Sequence, residues 1–190
     1  MSQRAGVAGL SGAAGQCRPA LSADAASIAE AIVAAWRAGY VGLVSADFLQ
    51  ALDVERIAEG WRRVLASSRA FRQVLVCEGL VIGASSGGPA SGATSAGVQP
   101  ARAELYSINV HPQHWGRGAG RLLLRASEGC LRKAGFSEAI LWVVAGNARA
   151  RRFYERAGWR PSGTERTTSE LTGSPVHEIC LERELGCDSR

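Results

Sequence analysis

The chain has 190 residues, 46% hydrophobic and 21% charged, with a formal net charge of +5. That length and composition fit a single globular domain with a core of its own, and they exclude disorder over most of the chain. No apolar run approaches the roughly 20 residues that cross a bilayer. The basic charge is carried by arginine except at Lys133, and it suits a multiply phosphorylated small molecule as well as a nucleic acid.

In chain order, residues 1–15 are rich in Ala, Gly and Ser around Arg4. They read as a flexible tail and not as a secretory signal, because no Leu/Val/Ile block follows the charge. An opening strand is expected over 16–20. Ser22 is then expected to cap a helix with Ile28, Ile32 and Trp36 at helical spacing. After a turn at Gly42, Ser45 starts a short helix around Phe48 and Leu49. Asp53 caps another that carries Ile57, Ala58, Trp61 and Val64 on one face. Residues 72–77 and 80–86 read as a hairpin turning at Glu78-Gly79. Residues 87–101, Gly/Ser/Ala-rich and nearly uncharged, read as a flexible loop within the domain.

Glu104 to Val110 forms the next strand, and 118–134 a helix with Leu123, Ala126, Cys130, Leu131 and Ala134 on one face, stopped by Gly135. Ala139–Val144 has the pattern of a buried strand, Asn147–Ala157 of a short basic helix, and strands at about 159–167 and 177–184 close the domain. Residues 187–190 are left as a tail. Helices, an antiparallel hairpin and then β-α-β-α-β-β point to a mixed sheet with helices on both faces. The five cysteines are scattered, with no CxxC pair and no His at ligand spacing. Reduced thiols in a cytoplasmic protein, and no metal, are therefore expected.

Between the strand ending at Val110 and the helix after it stands His111-Pro112-Gln113-His114-Trp115-Gly116-Arg117-Gly118-Ala119-Gly120-Arg121. Glycines at alternate positions let backbone N–H groups approach a phosphate, and the helix start adds unpaired N–H donors and its positive dipole end. A P-loop needs Lys and then Ser or Thr after the last glycine, where Arg121 and Leu122 stand. A dinucleotide site needs G-x-G-x-x-G and an acid at the end of the next strand, which here ends Val143-Val144-Ala145. Neither nucleotide loop fits.

Gln113-x-x-Gly116-x-Gly118 resembles the Gln/Arg-x-x-Gly-x-Gly/Ala pyrophosphate signature of the GNAT superfamily of N-acetyltransferases. Asn147-x-x-Ala150-x-x-Phe153-Tyr154-Glu155-x-x-Gly158-Trp159 is similar to that family's second signature, with Trp in the final aromatic place. The resemblance is sharp from about Glu104 to Trp159 and looser from Cys17 to Leu185. It implies an α/β (α+β mixed) GNAT acyl-CoA N-acyltransferase fold. Its central mixed, mostly antiparallel sheet would have about seven strands flanked by helices on both faces, within one domain over 16–186.

The resemblance also implies acetyl-CoA as cosubstrate, without a metal. The backbone from Trp115 through Gly116, Arg117, Gly118, Ala119 and Gly120 to Arg121 would grip the pyrophosphate, after Gln113. Ile108, Asn109 and Val110 would pair with the pantetheine amides on a strand splayed from Leu141–Val144. Asn147 would cap its helix, bond the cofactor, or both. Arginines 149, 151, 152 and 156 would form a solvated face, one or two meeting the 3′-phosphate.

Tyr154 is implied as the general acid that protonates the leaving thiolate, whose pKa is about 8.5. Glu104 is implied as the base, since an amine of pKa about 10.4 is neutral only about once in 2,500 molecules at pH 7, a cost of about 4–5 kcal/mol. Glu104 reads equally as an ion-paired strand carboxylate, and His111 or His114 as alternative bases, with His111 better suited to anchoring the loop.

The function implied is direct transfer of acetyl from acetyl-CoA to a primary amine of a small-molecule or peptide acceptor, by a monomer or homodimer acting on neither nucleic acid nor membrane. A CoA-binding regulatory protein of the same fold is the alternative. Trp36, Tyr40, Phe48 and Trp61 offer apolar walls for an acceptor or for the core. Nothing in the sequence specifies the acceptor.

Overall fold

A computed structural model describes residues 15–66, 70–90, 102–170 and 172–186. The tail before Gly15, most of the 87–101 loop and the tail at 187–190 lie outside the described residues. The chain runs β1 (Gln16–Pro19), α1 (Ala25–Gly39), α2 (Ala46–Gln50), α3 (Val54–Leu65), β2 (Phe71–Cys77), β3 (Leu80–Pro89) and β4 (Ala103–Val110). It continues through α4 (Ala119–Lys133), β5 (Glu138–Val144), α5 (Ala148–Arg156), β6 (Arg160–Thr168) and β7 (Val176–Glu184). The strands form one seven-stranded sheet in the order β1-β2-β3-β4-β5-β7-β6. Each neighbouring pair is antiparallel except β4–β5.

The alternation along β2 explains how helices cover both faces. Val74 points to one side and packs with Ala84 and Ile28 of α1, joined by Ile32 and by Trp61 of α3. Leu75 points to the other, where it meets Leu123 of α4 together with Ile82 and Val110. Leu124 and Leu131 of α4 continue that layer over Leu105, Leu141, Val143 and Leu181, and Phe153 and Tyr154 of α5 pack beside it. Thus α1 and α3 lie on one face and α4 and α5 on the other, with the parallel pair β4–β5 at the middle of the sheet.

The expected caps at Ser45 and Asp53 are present. Their side chains accept the Phe48 N–H at 3.2 Å and the Arg56 N–H at 2.8 Å. Ser22 does not cap α1. A 3-10 turn over Ser22–Asp24 precedes the helix, and the Asp24 carboxylate anchors it by accepting the Leu21 N–H at 2.7 Å and two Arg18 N–H groups at 2.6 and 2.8 Å. A charged, bidentate anchor outweighs the hydroxyl two residues earlier.

The expected loop at 87–101 also begins too early, because β3 continues to Pro89. Gly87, Gly88 and Pro89 pair with Leu105, Glu104 and Ala103 after a register shift that bulges β4 at Tyr106. Small residues there reflect a tightly packed strand, with Gly87 buried against Phe71, and not a chain released from the sheet. Among the described residues, no helix is long and apolar enough to cross a membrane.

Candidate active site

At the end of β4 the His111 N–H donates to Ile82 O at 2.8 Å, keeping the chain on the sheet for one more residue. Pro112–His114 then form a 3-10 turn, and His111 Nδ1 accepts the Gln113 N–H at 3.4 Å, the local anchoring expected of this histidine. Trp115 fastens the turn from within. Its indole N–H donates to Val110 O at 2.6 Å and its backbone N–H to Pro112 O at 3.1 Å. The Arg149 guanidinium lies over its ring, 3.3 Å from the centroid. Both Trp115 donors are thus engaged, so this residue supports the turn and leaves anion contact to its successors.

Gly116 and Gly118 take φ values of 74° and 89°, a left-handed conformation that an L side chain resists. Gly118 is the N-cap of α4 and supplies no capping side chain. The first backbone bond into the helix is Leu122 N–H to Gly118 O, at 3.0 Å. The N–H groups of Ala119, Gly120 and Arg121 therefore face out of the helix start with the positive end of its dipole. Gln113, Arg117 and Arg121 are exposed around this concavity. Those donors can hold a pyrophosphate.

The second feature is a break in the sheet. β4 and β5 pair only at Ala103↔Ala139 and Glu104↔Ile140, leaving no ladder between them above Glu104. The β5-facing edge of Ile108, Asn109 and Val110 is consequently open, while their other edge is bonded to Ser85, Ala84 and Gly83 of β3. An extended amide-bearing arm can enter this wedge by strand addition.

Two tyrosines approach the wedge from opposite faces. Tyr154 of α5 lies among Phe153 and Trp159, at centroid distances of 4.9 and 6.2 Å. Burial, reinforced by the nearby Tyr40, pushes its phenol far above the usual value. Tyr40 stands at the C-cap of α1, stacked on Trp36 at 4.2 Å with Phe48 edge-on to Trp36 at 5.6 Å. Burial raises the Tyr40 phenol as well, and the Glu178 carboxylate adds to this, while the Asn147 amide opposes both. Asn147 also caps α5, its Oδ1 accepting the Ala150 N–H at 3.0 Å. Trp61 belongs to the core against β2 and β3 and not to this site.

Tyr154, Tyr40 and Asn147 thus meet at the wedge. Glu104 sits at its closed end, half-buried, where its charge and the opposing Arg72 act on the Tyr106 phenol, whose hydroxyl donates to Pro89 O at 2.7 Å. Two of the α5 arginines are spoken for: Arg149 covers Trp115, and Arg151 Nη1 donates to Ala145 O at 3.2 Å. Arg152 and Arg156 are exposed. His177 is exposed and 3.1 Å from Glu165. Tyr40 and Glu178 entered the site without a motif to announce them. Among the described residues no group of three or more His, Cys, Asp or Glu could hold a metal.

A sheet opened between its parallel strands beside a glycine turn at a helix start is the architecture of the GNAT acyltransferases. The PaiA N-acetyltransferase from Thermoplasma acidophilum, solved with coenzyme A, matches with a TM-score of 0.69 at 18% identity, over 90% of this chain and 99% of that one. YncA from Salmonella typhimurium, solved with acetyl-CoA, matches with a TM-score of 0.65 at 20% identity, over 94% and 98%. In sequence, the uncharacterised N-acetyltransferase YuaI of Bacillus subtilis (strain 168) is 28% identical over 167 residues, which cover 86% of this chain and 90% of that protein. The Acetyltransferase (GNAT) family pattern matches residues 38–159. The chain belongs to the GNAT family of acetyltransferases.

Proposed function

We propose that this protein moves an acetyl group from acetyl-CoA to a primary amine of an acceptor by direct attack in a ternary complex. The observation that carries the reading is the open edge of Ile108–Val110 next to an uncapped helix start, with Tyr154 beside the gap. The N–H groups from Gly116 to Arg121 hold the pyrophosphate, and the open edge of β4 holds the pantetheine amides. Acetyl-CoA supplies an activated acetyl thioester. A backbone N–H near Val110 polarises the thioester carbonyl, and the fixed geometry of both partners contributes much of the rate. Tyr154, kept protonated by burial, gives its proton to the departing thiolate. Glu104, at the closed end of the wedge, takes a proton from the acceptor amine through a chain of waters, the amine entering from the face that carries α1.

Calorimetry with acetyl-CoA, followed by thiol detection over a panel of amines, tests this reading. Saturable acetyl-CoA binding and amine-dependent CoA release are expected, and Gly118→Trp is expected to abolish the binding by filling the pyrophosphate turn. Absence of binding by the folded wild-type chain overturns the reading. Binding without CoA release for any amine would favour a regulatory CoA-binding protein instead.

A further inference from the structure

The open face of the sheet carries a second carboxylate, placed higher in the wedge than Glu104. Glu104 is in register with Ile140, at the last pair before β4 and β5 part, whereas Glu178 of β7 is in register with Val144. Counted up the strands from Glu104↔Ile140, past the bulge at Tyr106, Val144 is level with Asn109. Glu104 therefore lies about 13 Å below the tier of Asn109, while Glu178 lies within it. Ile140 pairs with Glu182 of β7, an even number of residues from Glu178, so both carboxylates point to the face that carries α1. The α1–α2 connection closes over the same tier. Leu43 packs so closely on Gly146 that a Cβ there would come within 2.9 Å of it, and Tyr40 stands beside it.

At Glu178 the structure already holds a cation. Arg166 Nε donates to Glu178 Oε2 at 2.7 Å, and the same guanidinium lies 4.1 Å from the centroid of Trp142, two residues below Val144 on β5. A carboxylate and an indole face together make a site for a positive charge. The Glu178 side chain is only 18% exposed, while Arg166, reaching in from the edge strand β6, is 45% exposed. Releasing such an arm to water costs little. Leaving the carboxylate unpaired would cost more, so one cation must replace another.

We propose that Glu178 and Trp142 form a cation subsite of the acceptor pocket, filled in the free protein by Arg166. The acceptor is then a diamine-type molecule whose reacting amine lies in the wedge while its second ammonium displaces the guanidinium. Glu178 is one strand spacing beyond β5, roughly 7–10 Å from the middle of the wedge, which a short alkyl chain spans. This assignment rests on the acetyltransferase reading and specifies its acceptor.

The test is calorimetric titration of linear alkyl diamines, and of monoamines of equal length, into the full chain with and without saturating CoA. Diamines are expected to bind about ten-fold tighter than their monoamine counterparts. Glu178→Gln is expected to erase that preference, bringing diamine affinity down to the monoamine level, and Glu178→Asp to keep part of it. Arg166→Met, which retains an apolar stem over Trp142, is expected to tighten diamine binding about three-fold or more. Equal affinity for the two series in the wild-type chain, or a preference that survives Glu178→Gln, overturns the proposal. Failure of the acetyltransferase reading is separately visible as the absence of CoA binding before any amine is added.

Discussion

Tyr154 shows how a single side chain acquires a chemical direction from its surroundings. A phenol whose pKa is raised by burial, and further by a neighbouring phenol, stays protonated throughout the neutral range and can give a proton but not take one. Two outcomes follow. The basic limb of the kcat profile is expected to show no titration attributable to Tyr154 up to about pH 10. Tyr154→Phe is expected to lower kcat by about 10²–10⁴-fold while acetyl-CoA affinity, measured by calorimetry, changes little. Trp159 carries a different lesson. Its indole N–H donates at 3.0 Å to the buried Glu128 Oε1, which Arg183 also approaches at 3.1 Å. The Trp in the last place of the second signature therefore answers a buried carboxylate on α4, a partner 31 residues away that no local pattern reveals. Trp159→Phe removes one donor and is expected to cost about 1–3 kcal/mol in urea denaturation.

Elements make this site by where they start and stop. The N-terminus of α4 can hold an anion because Gly118 leaves it uncapped, and the helix is pinned in place by Leu123, fully buried against β2 and β3. Leu123→Ala is expected to destabilise the chain by about 2–5 kcal/mol in the same denaturation assay, lowering the apparent acetyl-CoA affinity only as the folded fraction falls. The start of α1 is pinned electrostatically. The hydrogen bonds from Arg18 hold the Asp24 carboxyl below its usual range, helped by the Leu21 N–H and opposed by partial burial. A depressed folded pKa adds stability above the unfolded value of about 3.9 and loses it as pH falls through the folded value. The stability gap between wild type and Asp24→Asn is therefore expected to be widest above about pH 5 and to close as acid is added. The caps at Ser45 and Asp53 and most of the periodic apolar faces of α1, α3 and α4 were readable beforehand, because each depends on residues within a turn of one another. Val64 of α3 is the exception, being exposed. The Asp24 anchor was not readable, because its partner Arg18 lies outside the helix. The extension of β3 to Pro89 was not, because it depends on pairing with β4 across a bulge.

For the molecule as a whole, the proposed reaction brings donor and acceptor to one gap from opposite faces of the sheet. The phosphate turn and α5 serve the face with α4, and Tyr40, Trp142 and Glu178 serve the face with α1. A ligand that joins the turn to the wedge binds only the folded chain. Acetyl-CoA at about 100 times its Kd is expected to add about 2.7 kcal/mol of stability, seen in a thermal melt as a rise of roughly 5–10 °C. The donor half of the proposed function is read from the sequence alone, because its chemistry lies in contiguous stretches: a glycine turn opening a helix, and Asn147 and Tyr154 on one short helix. The proposed acceptor half rests on the tertiary structure. Tyr40 reaches the site from the end of α1, and Glu178 arrives beside Val144 only because β7 inserts between β5 and β6. Strand order and register bring together residues more than a hundred positions apart, and side-chain periodicity within one strand carries no information about which strand will lie next to it.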